Sequence, residues 1–345
     1  MVMISSSRFE RHVTPLGHPE RVERARVFDL VAADWVAHGG PIAEPLPATR
    51  EQLERVHIAS YLDRLEAARG QTTRMLDPDT FTSPDSVHVA VLAAGAAVQA
   101  AEHAVVNGDP AFALVRPPGH HAEADKAMGF CLLNNVAVAA AAMVARGLAR
   151  IAIVDIDVHH GNGTQHIFYQ DPTVLYLSMH QFPFYPGTGD ATEIGMRDGR
   201  GYTVNIPMEA GCGDADYALV CRAVVEPIID MFGPQLLIVS AGYDAHERDP
   251  LASMRLTTEG YGMLVGCLAA CARRSGSLAL VTEGGYEMSA LSSCLLRSVE
   301  AIAGAHASPQ SFLSDDRSRT MQTTKRGERA VSLTRAALAP FWKGI

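Results

Sequence analysis

Four short aliphatic runs along the chain end in the same way, in glycines and polar groups capable of chemistry. Ile151-Ala152-Ile153-Val154 runs into Asp155-Ile156-Asp157-Val158-His159-His160-Gly161-Asn162-Gly163, and Leu236-Leu237-Ile238-Val239-Ser240-Ala241 into Gly242-Tyr243-Asp244. Leu278-Ala279-Leu280-Val281-Thr282 runs into Glu283-Gly284-Gly285-Tyr286, and Ala113-Leu114-Val115 into Arg116-Pro117-Pro118-Gly119-His120-His121. Unbroken apolar runs of this length read as strands buried on both faces, as in a parallel sheet. Between and before them, helical patterns cover 19–38, 50–69, 83–107, 134–146, 214–232 and 257–274. Thr49, Ser83-Pro84, Asp214 and Thr257 or Thr258 supply the expected starts, and alanine-rich composition favours the third and fourth helices. This alternation predicts an α/β fold: one domain with a central, mostly parallel β-sheet flanked by helices on both faces. Loops at 70–84, 116–130, 181–202 and 242–256 would rim a site outside the carboxyl ends of the strands, where the four polar endings are expected to meet.

With 345 residues, 48% of them hydrophobic, the chain can bury a large core. The apolar stretches are read as interrupted before the ~18 residues a membrane span needs, and Met1 to Arg11 has no apolar signal region, so a cytoplasmic protein is expected. A net charge of −9, with scattered bases, argues against nucleic-acid binding. The six cysteines include no Cys-x-x-Cys pair and read as reduced, buried small hydrophobes. Ala305 to Glu328 reads as a polar connection after a 1–304 catalytic domain. Ala330 to Trp342 reads as a last amphipathic helix whose Phe341 and Trp342 pack back on the body.

Two acids and an imidazole brought together need a cation among them, and carboxylate plus imidazole without thiolate suits zinc. Asp157, His159 and Asp244 would give three protein ligands and an open fourth position, with Asp155 orienting a neighbouring histidine. His120 and His121 are candidates for a general base and its electrostatic partner, and Tyr286 for a donor to a developing oxyanion, free to swing on Gly284-Gly285. Taken singly, each has a plainer reading, as a surface histidine, a satisfied buried acid or a turn residue. It is the convergence of complementary parts on four strand ends that points to amide hydrolysis.

Arg116-Pro117-Pro118-Gly119-His120-His121, Gly129-Phe130-Cys131, Asn134-Asn135, Asp155-x-Asp157-x-His159-His160-Gly161-Asn162-Gly163-Thr164-Gln165, Gly242-x-Asp244 with Asp249-Pro250, and Glu283-Gly284-Gly285-Tyr286 resemble, in order, the motifs of the zinc-dependent histone deacetylase family, which includes acetylpolyamine amidohydrolases. The resemblance runs from about His18 to Gly304 and implies the arginase-deacetylase fold. It implies Asp157, His159 and Asp244 as zinc ligands, His121 as general base and acid, His120 as its partner and Tyr286 as oxyanion donor. It also implies a potassium site at Asp155 and Ser178, a second at Phe168, Asp171, Val174 and Tyr202, and a supporting role for Asn162. Gly129 and Phe130 match one wall of an acyl-lysine tunnel, Tyr185 falls opposite, and Arg24 matches an arginine lining an acetate exit.

Asn162 with Thr164-Gln165, and the Phe341-Trp342 segment, are similar to class II members. Thr82 stands where class I enzymes grip the substrate backbone with an aspartate, and Leu251 where a polyamine-selective relative has a glutamate. The expected substrate is an N-acylated lysine or amine, with acetylpolyamines and other small N-acyl amines as the rival class. A non-catalytic zinc-binding acyl-lysine reader is a remote alternative that would not need His120, His121 and Tyr286 together. A homo-oligomer is compatible with these readings.

Overall fold

A computed structural model of the chain describes residues 1–307 and 324–345. In chain order its elements are β1 (Val2–Ile4), α1 (Glu23–Ala37), β2 (Ile42–Ala43), α2 (Arg50–Glu54), α3 (Ala59–Ala68), β3 (Arg74–Asp77), β4 (Thr80–Thr82), α4 (Ser86–Asn107), β5 (Ala111–Ala113), α5 (Asn135–Ala145) and β6 (Ile151–Asp155). There follow α6 (Asn162–Phe168), β7 (Val174–Gln181), β8 (Thr203–Met208), α7 (Asp214–Val220), α8 (Glu226–Phe232), β9 (Leu236–Ala241), α9 (Thr258–Ser275), β10 (Ser277–Thr282), α10 (Met288–Ala307) and α11 (Lys325–Leu338). The main sheet has eight strands in the order β2-β1-β5-β10-β9-β6-β7-β8, every neighbouring pair parallel. The apolar runs behave as their composition requires. Ala152 and Val154 join a core with residues of α1 and α7 to α11, while Ile151 and Ile153, alternating with them, join a second core with residues of α2 to α5. The strands that carry the four polar endings, β5, β10, β9 and β6, are consecutive at the centre of the sheet, so the endings lie side by side.

The element boundaries differ from the sequence expectations for local reasons. The pattern over 50–69 breaks into α2 and α3 because Ile58 is extended before α3, while Thr49 makes the expected cap, as a capping box with Gln52. The helix expected from 19 starts at Glu23, and the one from 83 at Ser86, where Ser86 Oγ accepts from the Ser83 backbone N–H at 2.7 Å. Asp214 is not a cap. Its carboxylate instead accepts from the backbone and hydroxyl of Thr257, which itself caps α9. The 214–232 helix holds a π-helical segment at Cys221–Val225 between α7 and α8. The last helix begins at Lys325, capped by Thr324, rather than at Ala330, and Phe341 and Trp342 lie beyond its end. The Trp342 indole N–H donates to the Gly201 carbonyl at 2.8 Å, and Thr334 in α11 donates to the Asn205 carbonyl. The rest of the expected connection, 308–323, lies outside the described residues.

One helix, α4, is long and apolar enough to cross a membrane by length and composition, which the reading of interrupted apolar stretches did not anticipate. It is a core helix, with 67% of its apolar window buried. Its alanines pack against α5 and β10, and at Gly95 a side chain would collide with the Leu46 carbonyl.

Candidate active site

The chain leaves β6 at Asp155 and turns through 156–161 before α6 begins, so Asp157 and His159 sit on a loop beyond the strand. Backbone hydrogen bonds within the loop and with adjoining strand ends fix it. His159 N–H donates to Asp157 Oδ1 at 2.9 Å, Gly284 N–H to Asp157 Oδ2 at 2.8 Å, and Val158 N–H to Asp244 Oδ1 at 2.9 Å. Two glycines are required here by space. A Cβ at Gly242 would run into Asp157, and one at Gly284 into the carboxylates of both Asp244 and Asp157. Gly284, in the pair before Tyr286, therefore serves the carboxylates, and the pair does not free the tyrosine to swing as the sequence suggested. The segment is clamped: Asp249 accepts the Tyr286 N–H at 2.7 Å, and the buried Arg24 donates to the carbonyls of Gly285, at 2.9 Å, and Glu283.

Asp157, His159 and Asp244 offer donor atoms all within 4.8 Å of one another, and all three are buried. His159 Nδ1 lies 3.2 Å from Asp157 Oδ1 and 3.1 Å from Asp244 Oδ2. Burial works against a charged His159, yet its bonds to the two carboxylates outweigh that and raise the imidazole to about 10. Burial and the nearby Asp157 push Asp244 up to about 7, whereas His120 and His159 hold Asp157 well below the usual carboxylate range against its own burial. Two buried carboxylates thus draw a positive charge to the point where a third ligand atom sits. This donor set of two carboxylates and one imidazole fits a divalent cation.

His159 of this trio lines a cavity of about 190 Å³ together with Asp79, His121, Gly129, Phe130, Phe184, Tyr185, Leu251 and Tyr286. His120 Nδ1 is 3.1 Å from Asp155 Oδ2, and despite its burial the carboxylates Asp157 and Asp155 raise it to about 10. His121 behaves oppositely: burial, then the charges of His120 and His159, hold it well below 6.5, while its Nδ1 meets Asn162 Oδ1 at 2.8 Å. The amide oxygen can only accept, so Nδ1 carries the proton and Nε2 keeps a lone pair. Tandem histidines thus hold different protonation states because carboxylates outweigh burial at His120, whereas at His121 burial and the neighbouring imidazoles prevail. Tyr286 pairs edge to face with Phe130 at 5.7 Å, and burial pushes its phenol up, keeping it a proton donor.

Tyr185 stands edge-on to His121 at 5.2 Å, as expected of a wall residue, but Phe184 stacks over His159 at 5.5 Å and shares that wall. Thr82 is buried in β4 and does not line the cavity, where Asp79 stands at the adjacent hairpin turn with its carboxylate accepting the Gly129 N–H at 3.2 Å. Arg24 is fully buried, paired with Glu20 at 3.1 Å and 5.2 Å from the Tyr286 ring centre. Glu283, which the sequence left without a role, accepts from the backbone N–H groups of Gly119 and His120 and from the Ser240 hydroxyl, tying the histidine turn to β10 and β9. Its position, at a parallel strand end like Asp155, was the available signal. Asp155 and Ser178 are register partners on β6 and β7, and Ser178 Oγ is 2.9 Å from His180 Nδ1. At the start of β7, beside Val174, the Phe168 carbonyl accepts from Asp171 N–H and the Tyr202 carbonyl from Tyr176 N–H. A second group, Glu226 with Cys267 and Cys271, also meets within 4.8 Å. There Cys267 donates to Glu226 Oε1 at 3.5 Å, and its contact with the Cys221 thiol, then burial, keep its own thiol protonated, so the group reads as a hydrogen-bonded core cluster.

The histone deacetylase domain profile matches residues 18–302, most of the chain and every strand end that builds the cavity. The chain belongs to the histone deacetylase family. A "Probable deacetylase" of Archaeoglobus fulgidus is 40% identical over 323 residues, covering 90% of this chain and 89% of that one. A "Histone deacetylase-like amidohydrolase" of Pseudomonas aeruginosa is 39% identical over 308 residues, covering 87% of this chain and 80% of the relative. The solved HDA15 HD domain superposes with a TM-score of 0.90 at 34% identity, over 99% of this chain and 94% of that chain. Membership fixes the reaction class: the protein is a deacetylase, a hydrolase of an amide C–N bond.

Proposed function

We propose that this deacetylase uses zinc held by Asp157, His159 and Asp244 to remove an acetyl or other acyl group from an N-acylated lysine or amine. The observation that carries the reading is a buried carboxylate–imidazole trio whose His159 lines the same cavity as His121 and Tyr286. Zinc bound there would supply a Lewis acid and lower the pKa of water within the site. His121 Nε2, its lone pair left free because Nδ1–H faces Asn162, takes the proton of the attacking water and returns it to the departing amine nitrogen. His120, charged and tied to Asp155, stays protonated and favours negative charge building beside it. The Tyr286 hydroxyl donates to the oxygen of the former carbonyl, an interaction worth roughly 3–4 kcal/mol in comparable oxyanion sites. Phe130, Phe184 and Tyr185 exclude water from the acyl-bearing chain.

Potassium at Asp155 and Ser178, and at the Phe168, Asp171, Val174 and Tyr202 turn, belongs to the same proposal, as does a cytoplasmic setting, which the six free cysteines suit. A second reading, a small cationic acyl-amine as substrate, is favoured by Asp79 on the cavity wall, while Leu251 on the same wall adds no charge. Hydrolysis of an acetyl-lysine peptide is to be compared with that of N-acetylated putrescine, cadaverine and spermidine by the zinc-loaded protein, with Tyr286→Phe as control. Peptide preference supports an acyl-lysine substrate and polyamine preference the second reading. A Tyr286→Phe protein with most of its activity intact removes the mechanism.

A further inference from the structure

His121 can act as described only in the tautomer with its proton on Nδ1, and a single amide sets that choice. An asparagine amide is ambiguous: turned one way it accepts from Nδ1–H, turned the other it donates to Nδ1 and drives the proton to Nε2, where it blocks base catalysis. Something must therefore orient Asn162. Its Nδ2 donates to Glu123 Oε1 at 2.6 Å, with weaker contacts to the His121 carbonyl and Met128 Sδ, both at 3.4 Å. A carboxylate accepts only, so it holds the amide nitrogen on its own side and the oxygen towards His121. Glu123 is in turn fixed from three directions. His166 Nδ1 lies 2.8 Å and 3.0 Å from its two oxygens, its backbone N–H donates to the Lys126 carbonyl, and its own carbonyl meets His57 Nδ1 at 3.0 Å. The Glu123 side chain is only 12% exposed, so water competes little for Asn162.

We infer that Glu123 is a positioning residue of the deacetylase: through Asn162 it fixes the His121 tautomer that makes Nε2 a base. The inference rests on the reading of His121 given above. It concerns the bond order Glu123 Oε1, Asn162 amide, His121 Nδ1, and no group in it touches substrate except His121.

The test combines kinetics with a direct view of the tautomer. Long-range proton–nitrogen spectra of the zinc-loaded protein labelled with 15N-histidine report which ring nitrogen of His121 is protonated, assigned by His121→Ala. Glu123→Ala should lower kcat about tenfold, a fraction of the ~10²–10⁴ that a general base contributes, since the two weaker contacts still favour the working orientation. KM should stay within about twofold, because tautomer error acts on the chemical step. Glu123→Gln, whose carbonyl can still accept from Asn162, should stay within about threefold of the parent protein and keep its tautomer. Glu123→Lys offers a donor instead and should reverse the amide, with a kcat loss of about a hundredfold and the imidazole proton moved to Nε2. Adding Asn162→Asp to that variant restores an acceptor for both neighbours and should recover at least about tenfold. Glu123→Lys and Glu123→Ala proteins with unchanged kcat overturn the inference, as do losses with no change in the His121 signals or a double variant no better than Glu123→Lys. Full activity in His121→Ala overturns the underlying mechanism and this inference with it, whereas an inactive His121→Ala beside unaffected Glu123 variants overturns this inference alone.

Discussion

Arg24→Leu distinguishes a brace from an exit channel. The guanidinium is buried beneath the Tyr286 segment, donating to the Gly285 and Glu283 carbonyls and pairing with Glu20. Leucine would orphan two buried carbonyls, at about 1–1.5 kcal/mol each. Glu20 would keep Arg116, whose contacts are 2.7 Å and 2.6 Å, so no uncompensated charge is left behind. The expected loss is therefore about 3 kcal/mol, the low end of the range for breaking a buried ion pair. At about 2.1 cal/mol/K of unfolding entropy per residue, a chain of 345 residues has about 0.7 kcal/mol/K, so Tm should fall by roughly 4 °C. Because the brace holds Tyr286, whose donation matters in the transition state, kcat should fall at least about tenfold with KM within about twofold. Calorimetry of the zinc-loaded protein beside steady-state kinetics reads both. Unchanged Tm and kcat, with altered inhibition by acetate, would refute the bracing argument and leave Arg24 an exit-channel residue.

Dialysis against a strong chelator should abolish hydrolysis, with zinc restoring it. Activity that survives with metal analysis showing an empty site would remove the role of the Asp157, His159 and Asp244 trio. Gly242→Ala would press a methyl group on the Asp157 carboxylate, and metal affinity, measured by competition with a chromophoric chelator, should fall about 10–100-fold, as it does for lost ligand-supporting contacts; unaltered affinity means the loop yields freely. Burial lowers His57 and His180 from 6.5 to about 4, so both stay neutral in the fold while the unfolded chain takes up protons below 6.5. Their contribution is full above pH 6.5 and is lost as pH falls towards 4, about 3 kcal/mol for each. Urea melts at pH 7, 5.5 and 4.5 should show that decline, and a flat profile over the window contradicts it.

The architecture was legible because strands buried on both faces leave no ambiguity of period: three of the apolar runs became central strands and the fourth, Ala113-Leu114-Val115, continues from the last residue of β5, so the polar endings had nowhere to go but the same edge. The trio Asp157, His159 and Asp244 was legible for the same reason, each lying two to four residues past a strand end. What the sequence hid are contacts made by side chains distant in the chain. Glu283 holds the histidine turn from 163 or more positions away, and Arg24 reaches Gly285 across 261. The strand-end position of Glu283 marked it as a site residue, but no local spacing gave its partners or those of Arg24. The role of Gly284 was misread because a glycine before a functional tyrosine invites an argument from flexibility. Only the neighbouring carboxylates reveal that it is there to admit a close approach. A supporting shell built from such long-range contacts is also where the site is most exposed to mutation, since removing Glu123, Arg24 or Asp249 alters no ligand and no base, yet shifts the atom that must be correctly placed.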